Sequence, residues 1–283
     1  MADTFGFLGV GTMNGALATG ICRLSAQQAQ NVKFPLYLSP RSKEKAESLL
    51  AKFGPEKIHI CESNQDVLDR VSVVFLGLLP SQVRPVFYEE KLQCKSSHFV
   101  VNLTSTVKNA ELAEIISSCS EASREFALSN VMKAVPLPAV QHLQGTTILC
   151  PPNAYDGKIS CIFDALGMAV EVEEKQLVAY QAMTAMMGPL YQQAQWHKEW
   201  LVENADVSPE LAQTFVCGLM NTIMADPNKG ETFEQLMEAQ TKGGINEQRM
   251  NLLSAHKEST KASMDAVYER LNKGNSTPQP RDE

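Results

Sequence analysis

The sequence has no hydrophobic run long enough to cross a membrane. A spanning helix needs roughly 18 to 20 apolar residues, whereas the longest apolar stretch, residues 71–80, has the length of a strand. The first residues carry neither a basic segment nor a cleavage site, and a strand pattern begins at residue 4. We therefore expect no secretory signal and no membrane partner.

Positive charge is also scarce. The chain has 25 Lys and Arg against 32 Asp and Glu, which gives a formal net charge of −7. A protein that binds nucleic acid along its backbone needs an excess of cations, so we do not expect a nucleic-acid partner. A small basic pocket for a single phosphate is compatible with this charge balance.

The seven cysteines form no disulfide or zinc pattern. Their number is odd, no two have C-x-x-C spacing, and the five histidines are not spaced as metal ligands. Free thiols are typical of a reducing compartment. The sequence therefore predicts a cytoplasmic protein with no bound metal.

Short apolar runs alternate with longer amphipathic stretches through the first half of the chain. This alternation is typical of parallel strands joined by helices in an α/β fold. Because the apolar runs are continuous, the predicted sheet is covered on both faces. We expect strands near residues 4–8, 34–39, 58–61, 71–79, 100–103, 130–135, 146–149 and 169–172, and helices near 13–28, 42–53, 64–70, 108–118 and 154–166.

Strand patterns stop after Glu173, and only helical patterns follow as far as residue 271. Glycine and proline interrupt these helices at 188–189, 208–209, 226–227 and 243–244. We predict a Rossmann-type domain over 1–173, an all-helical domain over 174–272 and a disordered polar tail over 273–283. The large apolar side chains of the helical half fit either a bundle core or a face buried against a second subunit.

The first motif with chemical meaning is Gly9-Val10-Gly11-Thr12-Met13, placed between a strand and a helix. In a dinucleotide-binding turn, Gly9 would allow the tight turn and Gly11 the close approach of a diphosphate. Thr12 and Met13 would then offer the unpaired N–H groups of a helix N-terminus. The third fingerprint position holds Asn14 instead of glycine. The alternative is a glycine turn that binds no ligand.

The end of the second strand predicts which coenzyme binds. NAD enzymes usually place a carboxylate there, whereas this chain reads Ser39-Pro40-Arg41-Ser42-Lys43, with no carboxylate before Glu44. An arginine can grip a 2′-phosphate through two parallel hydrogen bonds. We therefore predict NADP(H), with Ser39, Arg41 and Ser42 among its contacts.

Several segments resemble the pyrroline-5-carboxylate reductase family, over about residues 5–271. The resemblance is carried by Gly6 to Leu17, Ser63-Asn64, Val73 to Pro80, Lys133 to Pro136, Gly188 to Tyr191 and Thr241 to Gly244. It implies a Rossmann domain, a helical domain that forms a homodimer or larger homo-oligomer, and NADPH-dependent reduction of a cyclic imine in proline biosynthesis. It also implies that Asn64, Leu78 and Pro80 contact the cofactor, and that Gly243, Gly244 and Asn246 contact the substrate.

The departures from the family pattern concentrate around the substrate. Leu79 replaces a lysine, and Ile245 and Asn246 replace two threonines. The chain therefore resembles a divergent member, for which two further functions stay open. One is reduction of a different imine or an oxo acid, and the other is a regulator that binds NADPH without turnover. His142, expected beside the active-site face, and His197 are weaker candidates for a proton donor.

Overall fold

The computed structural model describes residues 2–273, so the part of the predicted tail over 274–283 lies outside the described residues. The described chain divides into two compact units, residues 2–181 with 271–273, and residues 182–270. The first unit extends beyond the predicted boundary at residue 173 and includes most of the helix that follows it.

The first unit contains one eight-stranded sheet with the order β3-β2-β1-β4-β5-β6-β7-β8. The bounds are β1 Asp3–Leu8, β2 Val32–Leu38, β3 Ile58–Ile60, β4 Val73–Leu76, β5 Phe99–Asn102, β6 Val131–Pro136, β7 Gly145–Cys150 and β8 Gly167–Glu171. All neighbours pair in parallel except β6 and β7. The chain between these two strands contains only a short 3₁₀ turn, Pro138–His142, which is too short for a parallel crossover.

Helices cover both faces of this sheet. They are α1 Thr12–Arg23, α2 Lys43–Phe53, α3 Asn64–Arg70, α4 Pro80–Glu89, α5 Asn109–Cys119, α6 Lys158–Ala165 and α7 Glu174–Thr184. In β4, Val73 and Phe75 join one buried cluster, whereas Val74 and Leu76 join the cluster on the opposite face. The prediction of a Rossmann-type sheet buried on both faces is therefore confirmed.

The bounds of two helices differ from the prediction. The helix expected over 154–166 starts only at Lys158, because Tyr155 and Asp156 have positive φ. The Tyr155 ring stacks on Phe99 at 4.6 Å, and its hydroxyl donates to Asp3 Oδ1 at 2.7 Å, which stabilises this irregular turn. The helix expected over 13–28 ends at Arg23.

The second unit is helical, as predicted. It contains α8 Met187–Ala205, α9 Pro209–Ile223, α10 Phe233–Glu238, α11 Ile245–Leu253 and most of α12 His256–Asn272. The interruption predicted at 208–209 is the start of α9, where the Ser208 hydroxyl caps the helix by accepting a hydrogen bond from Leu211 N at 3.2 Å. The break predicted at Gly188-Pro189 falls slightly earlier, because α7 ends at Thr184 and α8 begins at Met187. Both residues lie in the first turn of α8, where a missing proline N–H breaks no helical hydrogen bond.

None of the helices found between residues 2 and 273 combines the length and the apolar character that a bilayer crossing needs.

Helix α1 packs closely on the 3₁₀ turn at Pro138–His142. A Cβ atom on Gly20, in the last part of α1, would lie 2.4 Å from the backbone oxygen of Val140. Gly15, earlier in the same helix, has no atom within 4 Å of its Cβ position. The two glycines therefore differ in whether the fold requires them.

We expect Gly20→Ala to lower the free energy of unfolding by about 1–3 kcal/mol, because a methyl group there overpacks against backbone. Gly15→Ala is the matched control and should raise it by about 0.5–1 kcal/mol through helix propensity. Urea unfolding measures both changes. Equal stability of the two variants would contradict the close contact between α1 and this turn.

Candidate functional site

A cleft of about 590 Å³ opens at the carboxyl ends of β1, β4 and β5, beside the turn that follows β2. In open α/β sheets, this edge is where ligands bind. The cleft is lined by Gly9, Gly11, Thr12, Met13, Arg41, Ser42, Gly77, Leu78, Leu79, Pro80, Gln82, Leu103, Thr104 and Ser105. Eight of the residues predicted to bind the cofactor lie here, namely Gly9, Gly11, Thr12, Met13, Arg41, Ser42, Leu78 and Pro80.

Two glycines shape the floor of the cleft in different ways. Gly9 has a φ of +81°, which disfavours any side chain, and a Cβ there would also lie 2.8 Å from Leu78 Cδ2. Gly11 has an ordinary φ of −75°, and no protein atom lies closer than 3.9 Å to its Cβ position. The fold itself therefore requires glycine at position 9. At position 11 the missing side chain leaves open space in the cleft, which a ligand could occupy.

The first turn of α1 faces this space without a cap. Among residues 2–273, no side chain accepts a hydrogen bond from its N–H groups, and its first turn contains no acidic residue. Thr12 and Met13 line the cleft, and Lys45 Nζ lies 3.5 Å from Thr12 Oγ1. Unpaired N–H groups and a nearby cation make this helix end suitable for an anion.

Asn14 and Ser39 support the glycine turn from behind. The Asn14 amide donates to Gly9 O at 2.8 Å and to Phe75 O at 3.2 Å, so it links the turn to β4. Ser39 Oγ accepts from Gly9 N at 2.9 Å. Ser39 is fully buried and does not line the cleft, so this structure gives it a supporting position.

The residues around Arg41 form the basic end of the cleft. Arg41 lies in a short 3₁₀ turn, Pro40–Ser42, and its side chain is exposed. Within residues 2–273, no Asp or Glu side chain lines this cleft. Arg41 is therefore placed to meet an anionic group without competition from a neighbouring carboxylate.

Asn64 occupies a different position from the other predicted residues. It begins α3 and is buried, and its amide donates to Glu90 Oε2 at 2.8 Å. It does not line the cleft.

The sequence places Thr104 and Ser105 at a departure from the family pattern near the substrate, but the prediction assigned no binding role to them or to Leu103, Gly77, Gln82 and Lys45. Leu103, Thr104 and Ser105 form a wall of the cleft that follows β5, whose end lies next to the end of β4 in the sheet. The rule that ligands bind at the carboxyl ends of parallel strands could have identified it.

A buried polar network lies behind this wall. Asn102, the last residue of β5, accepts hydrogen bonds from Thr104 N and Thr104 Oγ1 and donates to Val107 O. Lys133 of β6 lies opposite Asn102 in the sheet and donates through Nζ to the backbone oxygens of Thr104 and Val107. Burial lowers the pKa of Lys133 to about 8, against the opposite effect of Glu174 and Glu111.

The predicted substrate residues lie in the second unit, where Gly243 and Gly244 precede α11 and Asn246 lies in its first turn. Gly243 has a φ of +73°, and its N–H donates to Glu247 Oε2 at 2.6 Å. The Asn246 amide donates to Gln240 Oε1 at 2.7 Å, and Ile245 is 83% exposed. Ile245 is therefore an exposed apolar side chain, whereas the Gly243 N–H and the Asn246 amide beside it already form hydrogen bonds within the second unit.

Neither candidate histidine is placed as a proton donor. His197 Nε2 accepts a hydrogen bond from Arg249 at 2.5 Å, and burial together with Arg249 lowers the pKa of His197. His142 contacts Arg23, at the opposite end of α1 from the cleft. The expectation that His142 lies beside the active-site face is therefore wrong.

One group of potential metal ligands lies away from the cleft. Ligand atoms of His59, Cys61 and Asp66 lie within 4.8 Å of one another. Asp66 Oδ1, however, already accepts from Arg70 Nε at 2.6 Å. An arginine held against one of three ligands opposes cation binding, so we assign no site there.

The comparisons with known proteins agree with this geometry. Residues 4–106 match the family model described as NADP oxidoreductase, coenzyme F420-dependent. This segment contains every residue that lines the cleft. No protein of curated function matches the chain by sequence.

Solved structures match nearly the whole chain. A pyrroline-5-carboxylate reductase from Coxiella burnetii is 17% identical with a TM-score of 0.77, covering 98% of this chain and 100% of that one. A pyrroline carboxylate reductase from Plasmodium falciparum with NADP bound is 18% identical with a TM-score of 0.74, covering 97% of this chain and 98% of that one. The chain has the fold of the pyrroline-5-carboxylate reductases. A reductive aminase from Aspergillus terreus with NADPH and ethyl levulinate is 15% identical with a TM-score of 0.55, covering 96% and 93%.

Proposed function

We propose that the chain is an NADPH-dependent reductase of a cyclic imine, similar in activity to the pyrroline-5-carboxylate reductases. The observation that carries the proposal is the cleft at the start of α1. One cavity there is lined by a glycine turn, an uncapped helix end and the Arg41 guanidinium, and no carboxylate of the described chain lines it.

The residues of the cleft fit NADP(H). A diphosphate would lie over Gly11, whose missing side chain leaves the space that a close backbone approach needs. The N–H groups of Thr12 and Met13 would bind it, and Arg41 and Ser42 would hold the 2′-phosphate. When bound, NADPH supplies the hydride for the reduction. The NADP-bound Plasmodium falciparum structure, which has the same fold, supports this assignment.

Arg41→Ala should weaken NADPH binding about tenfold or more and leave NADH binding nearly unchanged, because only NADPH carries the 2′-phosphate. Lys52→Ala removes the same charge from the other end of α2 and serves as the control. Calorimetric titration of both coenzymes measures the effect. Tighter binding of NADH by the wild type, or equal loss of both coenzymes in Arg41→Ala, would contradict the NADP assignment.

The remaining work of the protein is to hold the substrate and exclude water. A protonated imine accepts hydride readily, so the reaction needs no buried acid, and neither His142 nor His197 receives that role. We propose that Gly243, Gly244 and Asn246 contact the substrate. Leu79 is 63% exposed in the cleft where the family has a lysine. This apolar position favours a second candidate function, the reduction of a different imine or an oxo acid.

Steady-state NADPH oxidation with pyrroline-5-carboxylate, 1-pyrroline and a 2-oxo acid tests the reaction. We expect turnover with at least one imine. Asn246→Ala should lower kcat/KM about tenfold or more without changing NADPH affinity, because it removes a polar contact to the substrate alone. Asn251→Ala in the same helix is the control. Binding of NADPH with no turnover of any imine or oxo acid would indicate a regulator instead of an enzyme.

We further propose that the second unit forms a homodimer. In α9, Leu211, Phe215, Leu219 and Ile223 are 47–60% exposed, and among its residues only Ala212 and Val216 are buried. A groove of about 720 Å³ lies beside α9. It is lined by Phe215, Leu219 and Ile223 of α9 and by Trp196 and Trp200 of α8. Soluble monomers rarely expose an apolar surface of this extent, so a second copy is the expected cover.

Leu219→Glu should convert the assembly to monomers, because it places a carboxylate in the apolar face. Gln213→Glu, on the other side of the same helix, adds the same charge and should leave the assembly intact. Sedimentation velocity at tens of micromolar measures the mass of each variant. A monomeric wild type would contradict the proposal.

A further inference from the structure

The wall of the cleft depends on one buried amine. Lys133 is 3% exposed, and its Nζ donates to the backbone oxygens of Thr104 and Val107, the latter at 3.0 Å. These two oxygens lie at the two ends of a four-residue segment. The amine therefore spans the segment from behind, whereas Thr104 and Ser105 line the cleft in front.

The space behind the wall is small and has a mixed polar and apolar lining. A cavity of about 60 Å³ lies there, lined by residues 105–109, Lys133 and Glu174 among others. Asn109 donates to Cys150 O at 3.3 Å, and Cys150 Sγ donates to Glu174 Oε2 at 3.3 Å. Within residues 2–273, no carboxylate lies within ion-pairing distance of the Lys133 amine, so backbone dipoles carry most of its stabilisation.

Several charged or titratable groups face Lys133 from the surrounding elements of the described chain. Glu111 on α5 and Glu174 on α7 favour the protonated amine. Lys108 lines the same cavity and carries a second cationic side chain. The Cys150 thiol on β7 has a pKa raised to about 12, chiefly by burial, so it stays neutral near pH 8.

We propose that Lys133 is a positioning residue that holds the Thr104–Val107 segment against bound NADPH and takes up a proton when NADPH binds. The inference rests on the proposed function, because it needs the coenzyme in the cleft. The proton joins the neutral amine to give the ammonium. Its physical cause is the negative charge of the diphosphate, which favours a cation behind the wall.

Proton uptake distinguishes this role from a purely structural one. Calorimetric titration of NADPH near pH 8, in two buffers of different ionisation enthalpy, measures it. The wild type should take up about 0.4 proton per NADPH if the bound coenzyme raises the pKa of Lys133 by about 1. The 2′-phosphate is already fully ionised at this pH, because phosphate monoesters have a second pKa of about 6.

Two substitutions at Lys133 separate its charge from its contacts. Lys133→Met removes both and should weaken NADPH binding about tenfold with no uptake. Lys133→Arg keeps the donors and a permanent charge, so it should bind NADPH within about threefold of the wild type, also without uptake. If Lys133→Met does not fold, Lys133→Arg alone still tests the titration. Lys108→Met removes the neighbouring lysine and should keep the wild-type uptake.

The outcomes separate this inference from the proposed function. Equal proton uptake by the wild type and the folded Lys133 variants would overturn the role of Lys133 and leave NADPH binding intact. Unchanged NADPH affinity in a folded Lys133→Met would overturn the positioning role. If the wild type binds neither NADPH nor NADH, the proposed function fails first, and this inference fails with it.

Discussion

The left-handed backbone at Gly9 is the constraint on which the rest of the cleft depends. It turns the chain from the end of β1 directly into α1, so that the first turn of the helix faces the cleft. Asn14 links this turn to β4, and Ser39 Oγ accepts the Gly9 N–H at the end of β2. Three neighbouring strands thus hold one turn. Because the conformation is held by hydrogen bonds made within the protein, the N–H groups of α1 are left available for a ligand.

The fold could be predicted because its signals are local. Continuous apolar runs identified the strands, and the spacing between them indicated parallel pairing. The antiparallel β6 and β7 could not be predicted in this way, because strand direction depends on the length and path of a connection without a pattern of its own. The irregular turn at Tyr155 was missed for a related reason. Its positive φ is stabilised by contacts with Phe99 and Asp3, which are distant in sequence.

The cleft likewise contains residues that could be predicted from local sequence and residues that could not. Gly9, Gly11 and Arg41 could be identified because their chemistry is tied to a turn or to the end of a strand. Leu103 to Ser105 form the opposite wall through the order of strands in the sheet, and the sequence marks Thr104 and Ser105 only as a departure from the family pattern. Asn64 was assigned by resemblance alone, and its amide bonds to Glu90 in this structure. Leu79 and Ile245 are both exposed apolar residues at positions where the family has polar ones. The residues proposed to bind the coenzyme thus resemble those of the pyrroline-5-carboxylate reductases more closely than the residues proposed to contact the substrate.

The reversal of direction between β6 and β7 decides where the polypeptide leaves the sheet. Cys150, at the end of β7, lies opposite Lys133, which in turn lies opposite the last residue of β5. Since β8 follows β7 in parallel, it also finishes at this level. The chain therefore leaves the sheet at the level of the carboxyl end of β5. Glu174 then begins α7 close to the buried Lys133 amine. If β7 ran parallel to β6, then β7 and β8 would end at the opposite end of the strands. Helix α7 would begin there, and its Glu174 carboxylate would lie away from the Lys133 amine.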